Sequence, residues 1–221
     1  LFKGTNKRSA LDIAVAFDSV GGESNAETAR EHTAYWARVR DADLDMAIET
    51  LTDMVTDSRL DEVDFSMERG VILDELAMGE DSPTDTVHDT FQLAVHGDRP
   101  IGRPVGGTPQ AIREVERADV WEHYQAHYGP SSLIVAAAGN VDHDSVCQRV
   151  QAALEGSPWD ARSAASPRPR RTTTVTPIVD HDKDITRRRD VTQAHVIIGC
   201  EGLPATDPAG PTMSVLLSVL G

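Results

Sequence analysis

The chain of 221 residues is 39% hydrophobic and 26% charged, enough apolar content to bury a core over one large domain, or one domain and part of another. A formal charge of −15, from 36 acids against 21 bases, argues against nucleic acid as a partner. The longest apolar runs, such as 133–138, fall far short of the roughly 20 residues of a membrane helix, so no membrane partner is expected.

Ser9 and Asp12 have the spacing of a helix-capping box, and Leu11, Ile13, Ala14 and Phe17 form an apolar stripe that Gly21-Gly22 ends. Residues 23–28 are short and polar, and residues 33–39 alternate as a strand with Ala34, Trp36 and Arg38 on one face. Residues 42–56 predict an amphipathic helix whose apolar side is Leu44, Ala47, Ile48, Leu51, Met54 and Val55. Asp61 caps a long helix reaching about residue 78, with Gly79 and Pro83 as punctuation, and residues 84–95 predict another. A Gly/Pro-rich loop over 97–108 leads to Thr108-Pro109, an N-cap with proline at the first helical position. Then come a short helix, a helix over about 118–128, a buried strand at 133–138 and a helix over about 144–154. Residues 156–171, with Pro158, Pro167, Pro169 and four arginines, read as a linker. Strands at 172–179 and 194–202 and a helix from Pro211 follow. Strands and helices mix without strict alternation, which predicts an α+β fold.

The charge is unevenly spread. Residues 162–189 hold eight bases and three acids, a local +5 that leaves −20 for the remainder. Cys147, in a helical pattern, and Cys200, ending a strand pattern, read as buried small apolar residues. Two isolated cysteines make neither a disulfide framework nor a thiolate cluster, and their scarcity points to a reducing, cytoplasmic compartment. No Met opens the chain and no secretory leader is legible at Leu1, so the sequence reads as beginning within a longer protein or after processing.

Two patterns carry chemistry. Glu68 and Glu75 are seven apart on the long helix, about 20° from alignment and about 10.5 Å along its axis, so both carboxylates share a face. On spacing alone a solvated acidic face, where most helical Glu residues sit, is the commoner reading. Gly70 between them costs roughly 1 kcal/mol in helix propensity, which suggests close packing or a site. His123 and His127 stand at i and i+4, a metal-ligand spacing, but lack the Glu after the first His that a zinc peptidase helix of that type uses. Tyr124 and Tyr128 alternate with them, which favours a packed structural helix. No nucleophile triad or phosphate-binding loop is present in the sequence.

Several segments together resemble the pitrilysin-type zinc metallopeptidases, especially the mitochondrial processing peptidase branch and its bacterial relatives. They are Leu1-Phe2-Lys3-Gly4-Thr5, Phe17-Asp18 with Gly21-Gly22-Glu23-Ser24-Asn25-Ala26-Glu27-Thr28, and Tyr35 with Ala37-Arg38-Val39. Glu68 to Glu75, Gly102-Arg103-Pro104, Gly107-Thr108-Pro109 and Ala137-Ala138-Gly139-Asn140-Val141 complete the set. The resemblance spans essentially the whole chain. It implies a zinc site of the inverted type, His-x-x-Glu-His, with a further Glu roughly 75 residues on. In relatives the second His lies two residues before the Leu of Leu-Phe-Lys-Gly-Thr, so the spacing falls on Glu75 as the metal ligand. Glu68 matches the family's second acidic residue, near the metal and assisting catalysis. Residues 22–28 resemble the active-site edge strand, with Asn25 and Ala26 binding an extended peptide through main-chain hydrogen bonds.

The same resemblance implies a two-layer mixed or antiparallel sheet packed with helices over 1–155, the linker at 156–171, and the opening of a homologous second domain at 172–221. The implied activity is zinc-dependent endopeptidase cleavage of extended peptides or unfolded segments. The alternative is a non-catalytic subunit that serves as scaffold or substrate grip for an active peptidase. The implied partners are peptide substrate, the C-terminal half of the same protein, and a second subunit in a homo- or heterodimer. Because this stretch lacks His-x-x-Glu-His, the 221 residues alone are expected to be inactive and to hold no tight zinc. A third, unrelated reading is a small acidic domain that binds metal through His123 and His127.

Overall fold

The computed structural model describes residues 1–159, 185–200, 202–204 and 207–220. The fold is helix-rich α+β with a small antiparallel sheet. Internal contacts divide the chain into two compact units, Leu1–Asp74 with Thr108–Pro169, and Glu75–Gly107 with Arg170–Gly221.

In the first unit, helix α1 (Ala10–Asp18) begins at the anticipated capping box. The Ser9 hydroxyl accepts the Asp12 N–H at 3.2 Å, and the Asp12 carboxylate accepts the Ser9 N–H at 2.8 Å. Hydrogen bonds from the Ser9 side chain and backbone hold the Asp12 carboxyl below its ordinary pKa. Gly21, at φ +64, lets the chain leave the helix. Strands β1 (Glu23–Thr28) and β2 (Thr33–Arg38) then pair antiparallel, Asn25 opposite Trp36 and Ala26 opposite Tyr35. A 3₁₀ turn leads into α2 (Leu44–Thr56).

Ile13 and Phe17 of α1 meet Ala47 and Met54 of α2 in the core, flanked by Phe2, Ala37, Val39, Met46 and Leu51. Each large apolar side chain so buried contributes about 1.5–3 kcal/mol. The predicted α1 stripe is narrower than its periodicity suggested: Ala14 is exposed and Leu11 is 71% exposed. Only one line of α1 faces α2.

A polar anchor ties the first residues to α2. The Thr5 hydroxyl donates to Asp53 Oδ2 at 2.7 Å, and Arg8 Nη1 donates to the same oxygen at 2.8 Å. Arg8 Nη2 reaches Glu49 at 2.7 Å. Asp53 is 5% exposed, and its Oδ1 has no hydrogen-bond partner among the described residues.

Helices α5 (Pro109–Glu114), α6 (Arg117–His127) and α7 (His143–Leu154) continue this unit, with α7 packed on α2. Thr108 caps α5 by accepting the Ala111 N–H, as its place before Pro109 predicts. All three tyrosines of the chain gather here. The buried Tyr124 hydroxyl donates to the Val55 carbonyl at 2.8 Å and accepts the Ser58 N–H at 3.3 Å. The Tyr35 and Tyr128 hydroxyls lie 3.0 Å apart. Burial, then the Tyr128 hydroxyl, push the Tyr35 phenol well above its ordinary pKa.

Three expectations fail in this unit. Residues 133–138 form no strand and are exposed, because no neighbouring strand among the described residues pairs with them. Cys147 is exposed rather than buried, on the face of α7 that carries His143. Gly70 is not a point of close packing: a Cβ there meets nothing within 4 Å. Gly70→Ala is therefore expected to stabilise the protein by about 1 kcal/mol in urea unfolding, through helix propensity. A loss of stability would show that something packs on Gly70.

Helix α3 (Glu62–Asp81) runs unbroken across the division between units. It passes through Gly79, where the sequence predicts a break, and stops at Ser82-Pro83, where proline disfavours helix for the residue before it. In the second unit Ser82 caps α4 (Pro83–His96), accepting the Asp85 N–H at 3.3 Å. Helix α8 (Gly210–Leu220) follows the expected segment. Residues 194–200 form no strand and Cys200 is exposed, correcting both expectations, again for want of a pairing strand among the described residues. The strand expected at 172–179, and the linker beyond Trp159, lie outside the described residues.

Candidate functional site

The two acidic residues of α3 stand in different surroundings. In the first unit, half-buried Glu68 forms an ion pair with Lys3 Nζ at 3.1 Å. Arg69 fixes this part of α3 by donating to the Val115 carbonyl and stacking its guanidinium over the Phe65 ring, 4.8 Å from its centroid. In the second unit, Glu75 is exposed, with no hydrogen bond or ion pair among the described residues. Both residues belong to α3.

The main chain of β1 is directed by its register. Ala29 donates its N–H to the His32 carbonyl at 2.8 Å, continuing the pairing beyond the last strand residues. Hydrogen-bonded pairs alternate in an antiparallel ladder, so Asn25 and Glu27 direct their main-chain groups to β2 while Ser24, Ala26 and Thr28 direct theirs outward. The Ala26 N–H is correspondingly taken by the Asn25 side chain, at 2.8 Å. No further strand pairs with this outer edge among the described residues. Beside it, a groove of about 600 Å³ is floored by Ile13 and Phe17 and walled by Phe2 and Trp36, with Asp18 and Ser24 on its lining.

Lys3 as the partner of Glu68, and the Asn25 side chain as the cap of Ala26, were not anticipated from the sequence. Lys3 sits within the Leu-Phe-Lys-Gly-Thr segment, whose nearness to α3 only tertiary structure reveals. His123 and His127 are both exposed rather than packed, because α6 turns Tyr124 inward and the histidines outward.

As a zinc ligand Glu75 fits chemically, being an accessible carboxylate not committed to another side chain among the described residues. Glu68 is committed to Lys3, which suits an outer position. Among the described residues no three His, Cys, Asp or Glu side chains converge on one point, so this stretch offers a single candidate ligand and not a complete set.

Residues 1–109 match the model of the insulinase family, peptidase family M16, and residues 114–221 match the peptidase M16 inactive domain. An uncharacterized zinc protease of Streptomyces coelicolor is 47% identical over 222 residues, covering 100% of this chain and 48% of that protein. Human mitochondrial cytochrome b-c1 complex subunit 1 is 32% identical over 221 residues, covering 100% of this chain and 45% of that protein. A crystal structure of a protease from Helicobacter pylori shares the fold, with a TM-score of 0.68 at 24% identity over 76% of this chain and 41% of that one. The chain thus spans about half the length of the curated relatives it matches. Two models of one family account for all but residues 110–113, and the chain belongs to the peptidase M16 family.

Proposed function

We propose that this chain is part of a zinc-dependent endopeptidase that cleaves extended peptides or unfolded segments. The observation that carries the reading is Glu75: an exposed carboxylate without a partner among the described residues, on α3, in a chain whose relatives are named zinc proteases. In this reading Glu75 is one of the zinc ligands, the others lying in the longer protein. Zinc bound there supplies a Lewis acid and a water of lowered pKa. Glu68, held by Lys3, positions its carboxylate one helical repeat away and assists catalysis by orienting groups near the metal. Ala26 binds the substrate main chain at the outer edge of β1, whereas Asn25, whose main-chain groups face β2, contributes its side chain alone. Ala26 points its N–H outward, and the Asn25 amide swings aside to release it.

The 221 residues are inactive alone in this reading, and the C-terminal half, as part of the chain or as a partner subunit, completes the enzyme. The test is full-length protein incubated with an unstructured peptide, with and without a chelator. Chelator-sensitive cleavage supports the proposal; no cleavage by zinc-loaded protein overturns it. A second reading, a non-catalytic subunit that grips or scaffolds, draws support from the likeness to cytochrome b-c1 complex subunit 1 and from the match of residues 114–221 to the inactive domain. Restoration of cleavage only on adding a second, active family member would favour it.

A further inference from the structure

Helix α6 ends in a pair of imidazoles that neither the core nor the proposed catalytic centre uses. His123 and His127 are four residues apart, about 40° around the helix and about 6 Å along it, so they share one face. Both are exposed, and their ring centroids lie 4.4 Å apart with planes tilted by 36°. That separation has a chemical meaning. An ion on an imidazole nitrogen sits about 2.1 Å from it, hence about 3.2 Å from the ring centre. Two imidazoles bound cis at a right angle then hold their centroids about 4.5 Å apart, so rings already this close need only side-chain rotation to aim one nitrogen each at a shared ion.

We infer that His123 and His127 form a second metal site, a two-nitrogen chelate for a divalent ion of right-angled preference, Cu(II) first and Ni(II) after it. Asp119, one turn earlier, is no third ligand, because its carboxylate caps the helix by accepting the Glu116 N–H at 2.9 Å. Water completes the shell, which makes the ion exchangeable rather than structural.

The site is coupled to the strands through the same helix turn. The chelate exists only while residues 123–127 are helical. That turn carries Tyr124, bonded to the Val55 carbonyl, and leads into Tyr128, whose hydroxyl meets Tyr35 of β2. Bound metal therefore stiffens the support of the β1–β2 hairpin.

The experiment is a copper titration of full-length, zinc-loaded protein in a non-coordinating buffer, followed by calorimetry and electron paramagnetic resonance. The expected result is one added site whose spectrum shows imidazole nitrogen coupling. His123→Ala and His127→Ala each weaken it by about tenfold or more, since each leaves a single nitrogen donor. A double His→Asn variant, with unchanged circular dichroism, loses both the added site and the copper-dependent rise in Tm. Wild type that takes up no copper beyond its zinc, or a double variant that keeps the nitrogen-coupled signal, overturns the inference.

Discussion

Glu75→Gln in the full-length protein is expected to abolish zinc retention and peptidase activity together. The substitution is nearly isosteric and falls on an exposed position, so folding should survive. It replaces a charged oxygen donor by a neutral amide, which a divalent ion holds far less well. A fall of at least about 100-fold in metal affinity is expected, beyond the 10–100-fold typical of outer-shell changes. Glu68→Gln is the comparison. It breaks the ion pair with Lys3 but leaves the proposed ligand in place, so zinc stays bound while the rate drops. Metal content by mass spectrometry beside activity separates the two. Zinc remaining near wild-type level in Glu75→Gln would remove Glu75 from the ligand set.

The second large effect concerns stability. Asp53→Ala is expected to cost about 3–5 kcal/mol, as when one member of a buried ion pair is removed. The variant leaves Arg8, whose side chain is mostly buried, without its inner partner, and deprives the buried Thr5 hydroxyl of its acceptor. Asp53→Asn should cost less, because an amide oxygen can still accept from Thr5. Urea unfolding of the full-length protein, read at its first transition, measures the difference. A loss below about 1 kcal/mol would mean that solvent reaches Asp53 and the anchor is weak.

The sequence was most informative where local chemistry decides structure. The Ser9–Asp12 box, the Thr108-Pro109 start and the helical course of α2 were legible, because capping and helical periodicity act over a few residues; of the expected α2 face only Ala47 and Met54 are buried, beside Thr50, Asp53 and Thr56. Residues 133–138 show where that logic stops. A strand exists only when another chain segment supplies its hydrogen bonds, and apolar composition names no partner. Gly79 failed differently: glycine inside a helix costs about 1 kcal/mol and does not end it, whereas Pro83 does constrain the residue before it. Around the candidate site, the spacing of Glu68 and Glu75 was readable but the Lys3–Glu68 pair was not. The alternation of histidines with tyrosines on α6 favours a packed helix but does not say which of the two stripes is packed. Which of two interleaved stripes turns inward depends on what lies beneath the helix, here Val55 and Ser58.

The outer edge of β1, which no strand among the described residues pairs, also bears on what the protein does not bind. A strand with unspent main-chain groups invites another copy of itself. If two β1 strands met antiparallel about Asn25, each Glu23 would lie opposite a Glu27, and like charges placed so destabilise a pair. The pairing of Glu23 with Arg38 at 2.8 Å softens this repulsion without removing it, while a neutral or basic chain meets none.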